Sequence, residues 1–435
     1  MKIVKGGNVS RLLQDVKIPK MFHATQAFNR ERMEPEQIPA AVYEQLSKPG
    51  IGDKIQPGMS IAITAGSRGV ANVDIITKAI VDFCKEKGAS PFIVPAMGSH
   101  GGATAEGQRE QLAGYRITEE TMGCPIKSSM ETVLLGYSQY GKPVYQDKNA
   151  NEADGIIISC RVKPHNAFRG PYESGVCKMM VVGLGKQKGA ESVHSDGLGN
   201  MARNLPANAK VVLENSKILF AIPCVENAYD ETAIIESIPA DKIFEREPEL
   251  LKTAFSNMPS ILVKEADVLV VNEMGKNYSG TGVDPNVSGT WSTEFGKGGL
   301  KVKRTCFLDL TDCSHGNANG MGLADIITAR MFNKLDSEVI YPNCFTSTVL
   351  RSGMMPPVVA TDKEAIQACI KTANGVEDKE NCRIVRIKNT LHIGNIMLSE
   401  AYYEDVVNGR YPGVTADDEP AELEFDREEN LITRM

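Results

Sequence analysis

The thirty residues from His165 to His194, HNAFRGPYESGVCKMMVVGLGKQKGAESVH, concentrate groups able to do chemistry. They hold two of the chain's six histidines, a string of glycines, and Lys178 set among Val176, Cys177, Met179, Met180, Val181 and Val182. An amine in such apolar surroundings loses hydration, which lowers its pKa and leaves a fraction neutral and able to attack a carbonyl-type centre. The same lysine also suits the plainer role of a side chain snorkelling from the end of a buried element. Further candidates stand in glycine-rich turns: Ser67 and Arg68 in Ala65-Gly66-Ser67-Arg68-Gly69, and His100 in Gly98-Ser99-His100-Gly101-Gly102. Glycine lets backbone N–H groups approach an anion, and imidazole titrates close enough to neutrality to give or take a proton. His23, His315 and His392 take the structural reading, with His315 in a polar loop.

Positioning these groups calls for strands that end where they begin. Ser60–Thr64 is a short apolar strand running into the Arg68 turn. The spacing of Val73, Ile76, Ile80 and Phe83 predicts a helix opened by Asn72 and closed at Gly88. Phe92–Val94 and Gly155–Ser159 are strands that run into the His100 turn and the Arg161-Val162-Lys163-Pro164-His165 segment. Strand, helix, strand with glycine turns at the carboxyl ends argues an α/β fold whose mostly parallel sheets are flanked by helices, with ligands at those ends. Ile38–Leu46 and Glu247–Ser256 read as helices, and Lys210–Ala228 as strand-rich or mixed structure. Ala266–Val271 reads as a strand, followed by the long polar, glycine-rich loop from Asn272 to Asn286. Beyond it come strands at Thr305–Leu310, Glu338–Tyr341 and Arg383–Lys388, an amphipathic helix over Leu323–Leu335, and a helix toward Thr372 opened by the capping box Thr361/Glu364.

At 435 residues the chain is expected to form two domains with the active site in the cleft between them. The composition shift near residue 272 predicts a cofactor-binding domain over 1–272 and a smaller α/β domain over 273–399. The segment 400–435 would pack back onto the first domain, its acidic end ADDEPAELEFDREEN solvated. A net charge of −7 and the absence of a basic block argue against nucleic acid as a partner. The ten cysteines lie scattered without a CxxC pair, which suits reduced thiols and a cytoplasmic location. No apolar run approaches the roughly 20 residues that span a bilayer, so no membrane partner is expected. Nor is there a GxGxxG after an early strand, a Walker A motif, GxSxG or HExxH, and the short Val182-Gly183-Leu184-Gly185-Lys186 segment is no dinucleotide signature.

The chain resembles the nickel-pincer nucleotide enzymes typified by lactate racemase, most specifically over about residues 60–200. Gly98-Ser99-His100 is similar to the family's Gly-Thr-His turn, and His165, followed by Phe168, Gly170, Ser174 and Gly175, to its second histidine. Lys178 follows Ser-Gly-x-x as the family's lysine does, and His194 stands sixteen residues beyond it. The resemblance implies His100 and His165 as catalytic bases, and Lys178 in a thioamide with the cofactor, a pyridinium-3,5-bisthiocarboxylic acid mononucleotide carrying nickel. His194 would be the metal ligand, with Arg68 and Ser67 at the cofactor. It implies a racemase or epimerase of a 2-hydroxyacid and leaves homo-oligomerisation open. Where lactate racemase has Asp-Arg-Thr-Arg this chain has Ala65-Gly66-Ser67-Arg68, so Gly66 replaces the arginine that grips the substrate carboxylate. Lys276 and Asn286 are the expected substrate contacts, and a longer sugar acid becomes as good a substrate as lactate. Two other functions remain open: a sugar-acid lyase or dehydratase using Lys178 as a Schiff base, and a non-catalytic nickel-cofactor-binding protein.

Overall fold

The computed structural model describes residues 2–67, 69–433 and 435. The chain divides into two compact units, one of residues 29–258 and the other of residues 1–28 together with 259–435. The expected boundary near 272 thus moves to 258/259, and the first 28 residues leave the unit they precede. Packing explains this. In β1 (Met21–Gln26), Phe22, Ala24 and Gln26 bury one face and Met21 the start of the other, so the strand takes its cover from the unit of residues 259–435.

The 29–258 unit is built on β2 (Ser60–Ala65), β3 (Ser90–Pro95), β6 (Gly155–Arg161) and β7 (Ile218–Glu226), parallel in the order β3-β2-β6-β7. Two short antiparallel strands, β8 (Thr232–Ile235) and β9 (Ile238–Pro239), pair with β7, and β4 (Thr132–Tyr137) with β5 (Pro143–Asp147) forms a separate ribbon. Near-continuous apolar runs such as Ile156, Ile157 and Ile158, all fully buried, are what a parallel strand covered on both faces requires. The helix Ile38–Leu46 falls where its periodicity placed it, and Val73–Glu86 runs between β2 and β3. Asn72 does not cap that helix with its side chain: it sits in the left-handed region at φ 57° and donates to Thr232 instead. Residues read as mixed structure near 210 are helical, Met201–Asn215, before β7 begins. The helix expected from Glu247 already starts at Ile243.

The other unit holds an eight-stranded sheet in the order β13-β12-β11-β10-β14-β15-β1-β16, with ranges β10 (Glu265–Val271), β11 (Lys301–Phe307), β12 (Ile326–Thr328), β13 (Val358–Val359), β14 (Ile384–Ile387), β15 (Asn395–Ser399) and β16 (Val414–Ala416). The five strands from β13 to β14 are parallel; β15, β1 and β16 add antiparallel pairings. Two expectations fail here. Glu338–Tyr341 lies inside a helix, Ser337–Ser347, because Asp336 caps it by accepting from the Glu338 N–H at 2.9 Å. Leu323–Leu335 is not one amphipathic helix but β12 followed by a short helix, Ala329–Phe332, whose cap is Thr328. Thr361 does cap Asp362–Thr372, while Glu364 turns to the Ala360 N–H rather than closing the box.

The acidic end is not a solvated tail on the other unit. Ala421 bridges to Met21, and Leu423, Phe425, Leu431 and Met435 pack on the cluster around Val268, Ile366 and Ile384. The Leu431 N–H donates to Asp362 at 2.9 Å, and buried Arg386 donates to the Thr433 carbonyl at 2.8 Å. Among the described residues no helix is long and apolar enough to cross a membrane. Phe425→Ala, which removes a half-buried ring from this cover, should lower unfolding free energy by about 1–2 kcal/mol in denaturant titration. No loss would show that the tail adds nothing to the fold.

Candidate active site

The carboxyl ends of β3, β2 and β6 lie side by side, and each leads into one candidate loop. From β3 the chain turns through Gly98 to His100, which is exposed and shares a hydrogen bond between its Nδ1 and the Ser67 hydroxyl of the β2 loop. That loop is pinned from below: the Ser67 carbonyl accepts from Gln111 at 2.5 Å and from the Tyr115 hydroxyl at 2.9 Å. Farther along, the Ala71 N–H donates at 2.7 Å to Glu226, a carboxylate at the end of β7 that is also ion-paired with Arg161 at the end of β6. Arg68 lies outside the described residues.

From β6 the chain reaches His165, half-buried and packed on Phe168 with ring centroids 4.5 Å apart. Its loop closes on Glu173, a fully buried carboxylate that accepts from the His165 N–H at 2.7 Å, the Gly170 N–H at 3.1 Å and Arg169 at 3.2 Å. The Ala167 N–H donates to Nδ1 of His165 at 3.1 Å, which places the proton of the neutral ring on Nε2. Burial pushes His165 well below the usual histidine range, and the charge of Lys178 and the nearness of His194 push the same way.

Lys178 ends a single helical turn, Val176–Lys178, that continues as a π-helical turn, Met179–Gly183, and then as the helix Lys186–His194. Its half-buried ammonium lies 3.5 Å from the Ser174 hydroxyl. His194 donates from Nδ1 to the Ala190 carbonyl at 2.7 Å, one turn back on its own helix. Burial, the leading cause, and Lys178 hold His194 below its usual value, against that bond. Nδ1 as donor leaves the lone pair on Nε2, the tautomer a metal requires. Among the described residues no group of three His, Cys, Asp or Glu side chains gathers as a metal site. A metal on His194 would therefore take its other donors from a bound group, as a pincer nucleotide supplies them.

The structure therefore brings Lys178 within electrostatic reach of both His165 and His194, and it bonds Ser67 to His100. The Ser67 loop meets the lysine segment as well: a β-carbon at Gly66 would lie 3.2 Å from Cε of Met179, the residue after Lys178. Lys276 and Asn286 belong to the other unit. Lys276 donates to the Gly280 carbonyl at 2.6 Å and to Asn343 at 3.2 Å, and the Asn286 side chain donates to Asp284 at 2.8 Å.

Residues 7–204 match the family model described as the lactate racemase N-terminal domain. That stretch, just under half of the chain, is similar to the lactate racemase N-terminal domain. The solved lactate racemase apoprotein from Thermoanaerobacterium thermosaccharolyticum is 15% identical with a TM-score of 0.52, covering 84% of this chain and 94% of its own. At that identity the likeness is one of fold. A Thermotoga maritima protein from a structural genomics consortium is 12% identical with a TM-score of 0.48, over 65% of this chain and 72% of its own. No curated protein matches the sequence. Ser67, His100, His165, Lys178 and His194 all fall within the matched residues; Lys276 and Asn286 fall outside them.

Three charged side chains around this site escaped the sequence reading: Glu173 and Lys186, inside the matched residues, and Glu247, beyond them. All three are buried; the partners of Glu247 and Lys186 lie on distant elements, and Glu173 bonds within its own irregular loop, so no periodic spacing signalled them. Glu247, from the helix Ile243–Asn257, accepts from the Cys177 N–H at 3.0 Å and holds the start of the lysine-bearing turn. A β-carbon at Gly175 would collide with this carboxylate, which explains that glycine. Burial pushes Glu247 up to about 7, against the hydrogen bonds from Cys177 and Val176. The folded chain thus keeps this proton where the unfolded chain has lost it, so the contribution favours folding at low pH and is lost as pH rises from the ordinary glutamate value toward about 7. Glu247→Gln should abolish a decline on the order of 3 kcal/mol between pH 4.5 and 7 in denaturant titrations. A wild-type and variant difference that stays constant with pH would contradict it.

Proposed function

We propose that the chain is an isomerase, a racemase or epimerase that inverts C2 of a 2-hydroxyacid, including sugar acids, with a nickel-pincer nucleotide as cofactor. One observation carries this reading: within the segment matched to the lactate racemase N-terminal domain, Lys178 acts electrostatically on both His165 and His194, and His194 is held in the metal-binding tautomer. Lys178 and His194 would hold the cofactor, with Ser67 and Arg68 beside it. When bound, such a group supplies reversible acceptance of the C2 hydrogen as hydride.

The chain's own residues then handle the hydroxyl proton. When the Ser67 oxygen accepts from Nδ1–H of His100, Nε2 of His100 is left with a lone pair that takes the hydroxyl proton of one stereoisomer. His165 serves the other, and the two are not equivalent. For Nε2 of neutral His165 to accept a proton, the ring proton must move to Nδ1 and the Ala167 N–H must let go. Loss of charge repulsion once the Lys178 amine is covalently bound would ease protonation of His165. Gly66 leaves the grip on the acid's carboxylate to other side chains, and a smaller residue there suits a longer acid.

The test is C2 inversion of a panel of 2-hydroxyacids and aldonates by chain produced together with the cofactor pathway. About one nickel per chain and a mass adduct on the Lys178 peptide are expected. His100→Gln and His165→Gln should each keep nickel and adduct while lowering kcat by about 10²–10⁴. Inversion surviving either change removes the two-base reading. A borohydride-trapped substrate adduct on Lys178 in nickel-free chain would instead favour the lyase, and full loading without inversion of any acid would favour a binding protein.

A further inference from the structure

The helix that ends on His194 begins with a residue the proposed chemistry does not use. Lys186 is 0% exposed, yet it carries a full-length ammonium side chain on a backbone at φ 54°, the left-handed region that strains a non-glycine residue. A buried lysine persists only when its desolvation is offset by well-placed partners. Lys186 has three. Its Nζ donates to the Pro95 carbonyl at the end of β3, donates to Gln108 Oε1 at 3.1 Å, and faces the fully buried Asp147 carboxylate at 3.3 Å. Gln108, buried in turn, sends its amide N–H groups to the carbonyls of Gly98 at 3.0 Å and His100 at 3.1 Å.

The ammonium is thus bonded to both ends of the turn that carries His100, directly at Pro95 and through Gln108 at Gly98 and His100. The same residue starts the rigid helix whose last residue is His194. Backbone contacts reinforce the junction. The Gly98 N–H donates to the Gly183 carbonyl at 3.2 Å, and a β-carbon at Gly183 would lie 2.8 Å from the Ala96 oxygen. Asp147 completes it, since its own N–H donates to the Leu184 carbonyl at 2.6 Å and its Oδ1 accepts from the Ala150 N–H at 2.9 Å.

We propose that Lys186 is a positioning residue: through Pro95 and Gln108 it sets the His100 turn against the segment that carries Lys178 and His194. The catalytic consequence rests on the function proposed above; the positioning itself does not. A turn anchored at one end only would let His100 drift relative to the reacting centre, and a displacement near 1 Å costs on the order of 10²-fold in rate.

Lys186→Met alone strands a buried carboxylate and can fail to fold, so the informative protein is the double variant Lys186→Met/Asp147→Asn. It buries no charge and keeps an acceptor for the Ala150 N–H. Gln108→Leu breaks the same chain of bonds without touching a charge. In full-length protein, hydrogen-exchange mass spectrometry should show amides of residues 96–104 exchanging about tenfold faster in both proteins, the loss of one buried hydrogen bond, with β2 and β10 unchanged. In cofactor-loaded protein kcat should fall about 10- to 100-fold with KM within about twofold and the Lys178 adduct intact. Unchanged exchange over 96–104, or faster exchange spread evenly over residues 29–258, overturns the positioning role. Faster local exchange in a protein whose wild type inverts no acid leaves that role standing and removes the function proposed for His100.

Discussion

The Val181 carbonyl occupies the space that side chains at residues 185 and 189 would need. A β-carbon at Gly189 would stand 2.7 Å from that oxygen, and one at Gly185 would overlap it outright. The π-helical turn after Lys178 can therefore fold down onto the helix that ends at His194 only because glycine fills both positions. This close backbone approach sets how far the lysine stands from the metal-type histidine. Gly98 and Gly183 extend the same contact to the His100 turn, so three loops become one packed body. The glycine string that suggests an anion cradle is here largely a matter of backbones touching.

Around that body the protein places buried charge where loops must be held. Glu173 gathers the loop of His165, Glu247 holds the first N–H groups of the Lys178 turn, and Lys186 with Asp147 holds the His100 turn. Each of these groups is costly to bury, and each carries several bonds to backbone that would otherwise have no partner. The acids among them are pushed upward by burial, as Glu247 shows at about 7, while Lys186 and the two inner histidines are pushed downward. Around His165 and His194 this favours neutral imidazole, the form that can take a proton or bind a metal.

The other unit follows a different logic. Its parallel strands are continued by antiparallel ones from opposite ends of the chain, and β1 lies between β15 and β16. The acidic terminus then covers the cluster around Val268 and Ile384 with the apolar residues it interleaves among its charges. Charge density was a poor guide because Leu423 and Phe425 inside the acidic stretch, and Leu431 just after it, turn onto the core while most of the carboxylates stay in water.

What the sequence by itself determined was local and periodic. The helices Ile38–Leu46 and Val73–Glu86, the parallel strands β2, β3 and β6, and the loops at their carboxyl ends were all legible. The sixteen-residue step from Lys178 to His194 took its meaning from the resemblance and not from periodicity, for it crosses a helical turn, a π-helical turn and a further helix. Only the tertiary structure decided which residues brace that site. The partners of Lys186 lie at Pro95, Gln108 and Asp147, and those of Cys177 and Gly175 at Glu247, separations over which no periodic signal survives. The unit boundary at 258/259 belongs to the same class, because it depends on where β1 finds cover and not on any change of composition along the chain.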